Sequence, residues 1–167
     1  MLNFTVEGPF EVPFYQGKAA KAISAQEGRE FWDGDAELTA RRGCYVFAIR
    51  AGGGITPLYV GKATTSFRKE VFTNDKLAKY QRGLADYMKG TPVLFLVMAP
   101  QTKGAPNKAV ITELEDFLIQ TAVSVNPDLL NIRGKKSAEF GITGVFRSGV
   151  GMPSKAARAF KNCMSLE

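Results

Sequence analysis

The chain has 167 residues, 45% hydrophobic and 23% charged, an ordinary composition for a globular domain long enough to bury a core. It contains no histidine. This excludes Ser–His–Asp and Cys–His catalysis and histidine-ligated zinc, and leaves acid–base chemistry to Tyr, Lys, Asp, Glu or a metal-bound water. The two cysteines, Cys44 and Cys163, are too few for a disulfide or metal framework. No apolar run reaches the roughly 20 residues of a membrane helix, and no signal-peptide pattern opens the chain. The expectation is one cytoplasmic domain over residues 1–167.

The net charge of +6 is unevenly spread. Residues 1–41 carry 4 basic and 7 acidic side chains, residues 42–105 carry 10 and 3, residues 106–131 carry 1 and 4, and residues 132–167 carry 7 and 2. A basic stretch, an acidic one and a basic tail suit a polyanion surface containing one acidic spot.

In chain order, residues 1–41 mix aromatics with Gly and Pro. They read as short strands plus a helix over residues 19–31, packed as an extension on the core. Residues 43–50 are β-branched and aromatic and read as a strand, and residues 58–62 as a second. Three glycines, Gly52 to Gly54, lie between them and permit the positive φ of a hairpin turn. A turn near Gly53 sets Tyr45 opposite Gly61 and diagonal to Tyr59 on one face. A ligand could then reach the backbone at the side-chain-free position between the phenols.

A helix in two pieces follows, over residues 66–72 and 75–89. Residues 92–99 form a continuous apolar run, the pattern of a buried central strand. Asn107 reads as the N-cap of a helix to about residue 125, with Val110, Ile111, Leu114, Phe117, Leu118, Thr121 and Val125 facing the core. Glu115 shares a stripe with Ile111, Leu118 and Ala122, at the edge of that buried face. Residues 135–147 read as a strand pair or loop, and residues 153–164 as a basic helix. The fold class is α/β, a small mixed and largely antiparallel sheet in a β-β-α-α-β-α core flanked by helices.

The triplets Gly43-Cys44-Tyr45 and Tyr59-Val60-Gly61, followed by Lys62, resemble the signature of the GIY-YIG nuclease family. In the family's order come a basic residue on the next helix (Arg68), a glutamate on a later helix (Glu115) and an asparagine (Asn131). The resemblance spans residues 42–132, with residues 133–167 as a basic C-terminal extension. It implies a metal-dependent endonuclease that hydrolyses phosphodiester bonds of nucleic acid, DNA favoured over RNA. Glu115 would hold one divalent cation, Mg²⁺ or Mn²⁺. Tyr45 or Tyr59 would activate water, with Lys62 or the cation favouring the ionised phenol. Gly61, Lys62, Arg68 and Lys69 would meet the nucleic acid, and Asn131 would position Glu115 or a metal-bound water.

The chain departs from the family pattern at Cys44, where Ile or Val is usual, and in a longer hairpin loop. The common spacing selects Lys69 rather than Arg68. Phe72 stands where many members carry Tyr or His, with Tyr80 as a substitute hydroxyl. Two further readings fit the same residues. One is a catalytically silent nucleic-acid-binding module. The other is a partner-regulated protein whose acidic first 41 residues cover a basic groove.

Overall fold

The computed structural model describes residues 2–101, 104, 107–131, 133, 142–145 and 151–164. They fall into two compact units, Met1–Lys135 and Lys136–Glu167. Among the described residues no helix is long and apolar enough to cross a membrane.

The first unit contains β1 (Thr5–Glu11), β2 (Tyr15–Gln16), β3 (Lys21–Ala22), α1 (Ala25–Phe31), α2 (Ala36–Ala40), β4 (Gly43–Ala51), β5 (Gly54–Ala63), α3 (Phe67–Glu70), α4 (Asn74–Leu84), β6 (Thr91–Met98) and α5 (Lys108–Val125). The main sheet has four strands in the order β1-β6-β4-β5. All three pairings are antiparallel. The apolar run beginning at Pro92 is therefore an interior strand, as its lack of alternation requires. One face of the sheet carries Tyr45, Phe47, Ile49, Leu94 and Leu96 against Phe67, Val71, Leu77, Tyr80 and Leu84 of the α3–α4 region. The other carries Cys44, Val60 and Val97 against α5 through Ile111, Ile119, Ala122 and Val123. A domain of this class buries its sheet between two helical layers.

Several expectations shift. The N-terminal segment is part of the sheet, because β1 pairs with β6. The expected helix over residues 19–31 begins only at Ala25. Ser24 and Glu27 form a reciprocal capping box there, which fixes where the first turn can start. Ahead of it, the buried Lys21 sends its Nζ to the carbonyls of Tyr87 (3.1 Å) and Met88 (2.8 Å). Helix α4 stops at Leu84, short of residue 89, and Met88 is 94% exposed. In α5 the expected Asn107 cap is present, accepting from the Ala109 N–H at 3.0 Å. The inward face is rotated, however. Ile119, Ala122 and Val123 are buried, whereas Phe117 and Val125 are 63% and 64% exposed. The seam against β5 selects its own stripe from a helix apolar around much of its girth.

The outer edge of β5 is covered by the chain after α5. Asn126 Nδ2 donates to the Pro57 carbonyl at 2.7 Å, and the Leu130 N–H donates to the Leu58 carbonyl at 2.8 Å. The Asn131 amide then closes on Val60 from both sides. Its Oδ1 accepts from the Val60 N–H at 2.9 Å, and its Nδ2 donates to the Val60 carbonyl at 2.7 Å. A side-chain amide thus substitutes for a neighbouring strand and satisfies two backbone groups of an otherwise exposed edge.

In the second unit, α6 (Lys155–Met164) forms within the expected residues 153–164. The expected strand pair or loop at residues 135–147 lies outside the described residues, apart from 142–145.

Replacing Asn131 by Ala leaves both Val60 backbone groups without partners in a buried setting. The expected loss is about 2–3 kcal/mol in a urea unfolding titration. Unchanged stability would mean that the amide does not hold this edge.

Candidate active site on the β4–β5 hairpin

The hairpin is fixed by two glycines. Gly43 has φ 149°, and a Cβ there would stand 2.0 Å from the Val97 carbonyl oxygen. The start of β4 can therefore approach β6 this closely only without a side chain. From that anchor the register runs Tyr45 opposite Gly61 and Tyr59 opposite Phe47, with a bulge just beyond Phe47. Tyr45 and Tyr59 share a face, with ring centroids 6.3 Å apart, as the turn position implied.

The space above Gly61 is not open to a ligand. A Cβ on Gly61 would meet Tyr45 Cζ and Oη at 2.4 Å, so the Tyr45 ring lies across the glycine and fills it. Tyr45 is fully buried, and its hydroxyl has no hydrogen-bond partner of sound geometry among the described residues. Burial holds this phenol well above its ordinary range, and the neighbouring phenols Tyr80 and Tyr59 push it the same way. Tyr80 is equally buried and held high by burial, and its hydroxyl donates to the Val71 carbonyl at 2.6 Å. Tyr80 therefore offers no free hydroxyl in place of the one Phe72 lacks. Phe72 packs against Phe31, Trp32 and Tyr80 instead.

Tyr59 has different company. Lys76 Nζ donates to its hydroxyl oxygen at 2.7 Å, and the ammonium groups of Lys76 and Lys79 stand 5.0 and 5.4 Å from its ring centroid. Asp75 ties the two lysines together, at 3.7 and 2.8 Å. The sequence reading assigned no role to Lys76 or Lys79. A signal was present, since both border the stripe that buries Leu77, Tyr80 and Leu84 and so sit at the rim of the helix's inward face.

Lys62 is not beside either phenol. Strand alternation sends Tyr59 and Gly61 to one face and Val60 and Lys62 to the other. There Lys62 Nζ lies 2.8 Å from Glu115 Oε2 and donates to Thr112 Oγ1 at 3.2 Å. Glu115 sits at the edge of the buried face as expected, its side chain 17% exposed. Below it, the Cys44 thiol contacts the Ile111 carbonyl at 3.3 Å and is pushed up to about 12, by burial first and then by the Glu115 charge. Arg68 and Lys69 are both exposed on α3 and make no ion pair among the described residues. Asn131 does not orient Glu115, because its amide is committed to Val60.

The predicted residues thus form two half-sites on opposite faces of β5, Tyr45–Tyr59 and Lys62–Glu115. Among the described residues no three His, Cys, Asp or Glu side chains converge to hold a metal ion. A single carboxylate still suffices for Mg²⁺ that keeps several waters and completes its shell with substrate phosphate. Glu115 fits that description, with Lys62 as its counter-charge. Comparison with protein-family models, with curated proteins and with solved structures finds no match.

Two outcomes follow from this packing. Gly61→Ala forces the Tyr45 ring aside and costs about 1–3 kcal/mol. In a Tyr45→Ala background that cost falls by more than half, and a double-mutant cycle showing no coupling would contradict the contact. The Cys44 thiol, raised in the fold, contributes stability that is complete below the unfolded thiol value and is lost as pH rises toward about 12. At pH 9 iodoacetamide should modify only Cys163 in the native protein and both thiols in urea. Rapid native labelling of Cys44 would show that the thiol is not buried as described.

Proposed function

We propose that this chain is a nuclease of the GIY-YIG type, hydrolysing phosphodiester bonds of nucleic acid with DNA favoured over RNA. The observation that carries the reading is the Tyr59 hydroxyl, met by Lys76 at 2.7 Å on the hairpin that bears both triplets. Phosphodiester cleavage needs a base for the attacking water and positive charge around the phosphate.

Between the two phenols, Tyr59 takes the role of base. A charge-assisted donor stands where a phenolate's negative charge would sit, whereas the Tyr45 oxygen is sealed inside the core without a partner. Tyr45 is a positioning residue whose ring spans Gly61 and flanks Tyr59. Arg68 and Lys69, exposed on α3, contact the phosphate backbone, and the planar fork of Arg68 can bridge two of its oxygens. Glu115, now paired with Lys62, would hold one Mg²⁺ or Mn²⁺ together with water and phosphate oxygens, and Lys62 would then be free to meet the phosphate. When bound, that cation neutralises charge on the departing oxygen. Asn131 supports the site through the Val60 backbone.

A second reading, a nucleic-acid-binding module without hydrolysis, draws on two observations. Tyr59 and Glu115 stand on opposite faces of β5, so one phosphodiester meets both only after a rearrangement. Tyr59 is only 5% exposed, and a base must reach its water.

Nicking of supercoiled plasmid in Mg²⁺ tests both readings. Tyr59→Phe should lower the rate by about 100-fold or more, the lower range for removing a general base. Tyr45→Phe should stay within about tenfold, since it removes an oxygen with no partner. Lys76→Ala should follow Tyr59→Phe. The reverse ranking of the tyrosines would reject Tyr59 as base. Binding without nicking by the unaltered chain would favour the silent module.

A further inference from the structure

Away from the hairpin, the N-terminal segment builds a cavity of about 290 Å³. Its walls include Phe10, Phe31, Trp32 and Leu38, and its charged lining residues are Glu11, Glu30 and Asp35. No basic residue lines it, although the chain as a whole is +6. The rings are set almost at right angles. Phe10 and Phe31 meet at 83° with centroids 6.2 Å apart, and Phe31 and Trp32 at 85° and 4.7 Å. Trp32 is 6% exposed, and its indole N–H has no acceptor among the described residues.

The three carboxylates differ in what already engages them. Glu11 is paired with Arg50. Asp35 accepts from the Leu38 N–H as the cap of α2, and Glu30 accepts from the Gln26 amide. Two of the three thus carry no ion pair among the described residues.

We propose that this cavity is a binding site for a small organic cation, an alkylated ammonium group on a short apolar stem. Three aromatic side chains, Phe10, Phe31 and Trp32, line the cavity, and aromatic faces attract quaternary ammonium groups. Carboxylates at the same cavity select positive charge over a neutral group of equal shape. The volume lies at the small end of ligand pockets, which suits one ammonium head rather than a nucleotide.

Trp32 is the single tryptophan, so its fluorescence in the full-length chain reports this site alone. The probes are 2-hydroxyethyl-trimethylammonium and its uncharged counterpart, 3,3-dimethyl-1-butanol. The cation should give a saturable change at about tenfold lower concentration than the alcohol, within the range of a partly desolvated cation–π contact. A Glu30→Gln, Asp35→Asn double variant keeps a competent helix cap. It should weaken the cation several-fold and leave the alcohol unchanged. A peptide bearing trimethyl-lysine provides a further arm. Tighter binding than the free cation identifies a protein side chain as the source of the ammonium, and weaker binding identifies a small molecule. Equal affinity for cation and alcohol, or no saturation by either, overturns the proposal. A double variant that unfolds, seen by circular dichroism, is replaced by the Glu30→Gln single variant, for which unchanged cation affinity overturns it equally.

Discussion

The Tyr45 ring lying across Gly61 is the contact on which the arrangement of the hairpin depends. It fixes which side chain occupies the space above β5, and so where the second phenol can stand. β4 is hydrogen-bonded on both sides, to β5 and to β6, and Gly43 is pressed against Val97. A slip of one residue would move Tyr45 and Tyr59 to the α5 face and drive a side chain into one of those contacts. Phe47 stacks on Tyr80 at 4.0 Å and 18°, locking the same face from α4. Such aromatic pairs add about 1 kcal/mol beyond the area they bury. Their larger effect here is to hold Tyr59 at a fixed distance from Lys76.

The period of two along β5 then divides the chemistry. Residues consecutive in sequence point to opposite helical layers, so Lys62 serves Glu115 while Tyr59 is met by lysines from α4. Val60, between them, contributes only its backbone, and Asn131 holds that backbone with both ends of one amide. The tyrosine side and the carboxylate side are therefore coupled through a single strand.

Much of this was legible in the sequence, for identifiable reasons. The hairpin, its register and the interior strand follow from local rules, namely turn glycines, alternation and an unbroken apolar run. The position of Glu115 at the edge of a buried face follows from helical spacing. The inward stripe of α5 was less legible, because Phe117 and Val125 are as apolar as the residues that were buried instead. The start of α1 is set locally, by the Ser24–Glu27 capping box, a pattern the sequence carries but that the expected span of residues 19–31 passed over. The pairing of Lys76 with Tyr59 joins residues 17 apart across two layers; helical spacing puts Lys76 at the rim of the buried face of α4 but does not name its partner. The role first given to Asn131 failed because a side-chain amide binds an edge strand as readily as it binds a carboxylate.

The acidic N-terminal segment reads differently once its pairing is known. As a cover over a basic groove it would be removable, leaving the rest intact. Instead, β1 supplies the strand beside β6, and Phe31 and Trp32 pack on Phe72 at 5.3 and 5.8 Å. Phe72 touches Tyr80, and Tyr80 touches Tyr59, with centroids 6.1 and 6.0 Å apart. Aromatic contacts thus run without a break from the acidic cavity to the candidate base. Removing the segment would expose the edge of β6 and unpack that row, so a gain in nucleic-acid affinity on deletion would not demonstrate an uncovered groove. The acidic residues Glu11, Glu30 and Asp35 line a cavity beside Trp32, so the charge of this segment belongs to its own packing rather than to a removable cover.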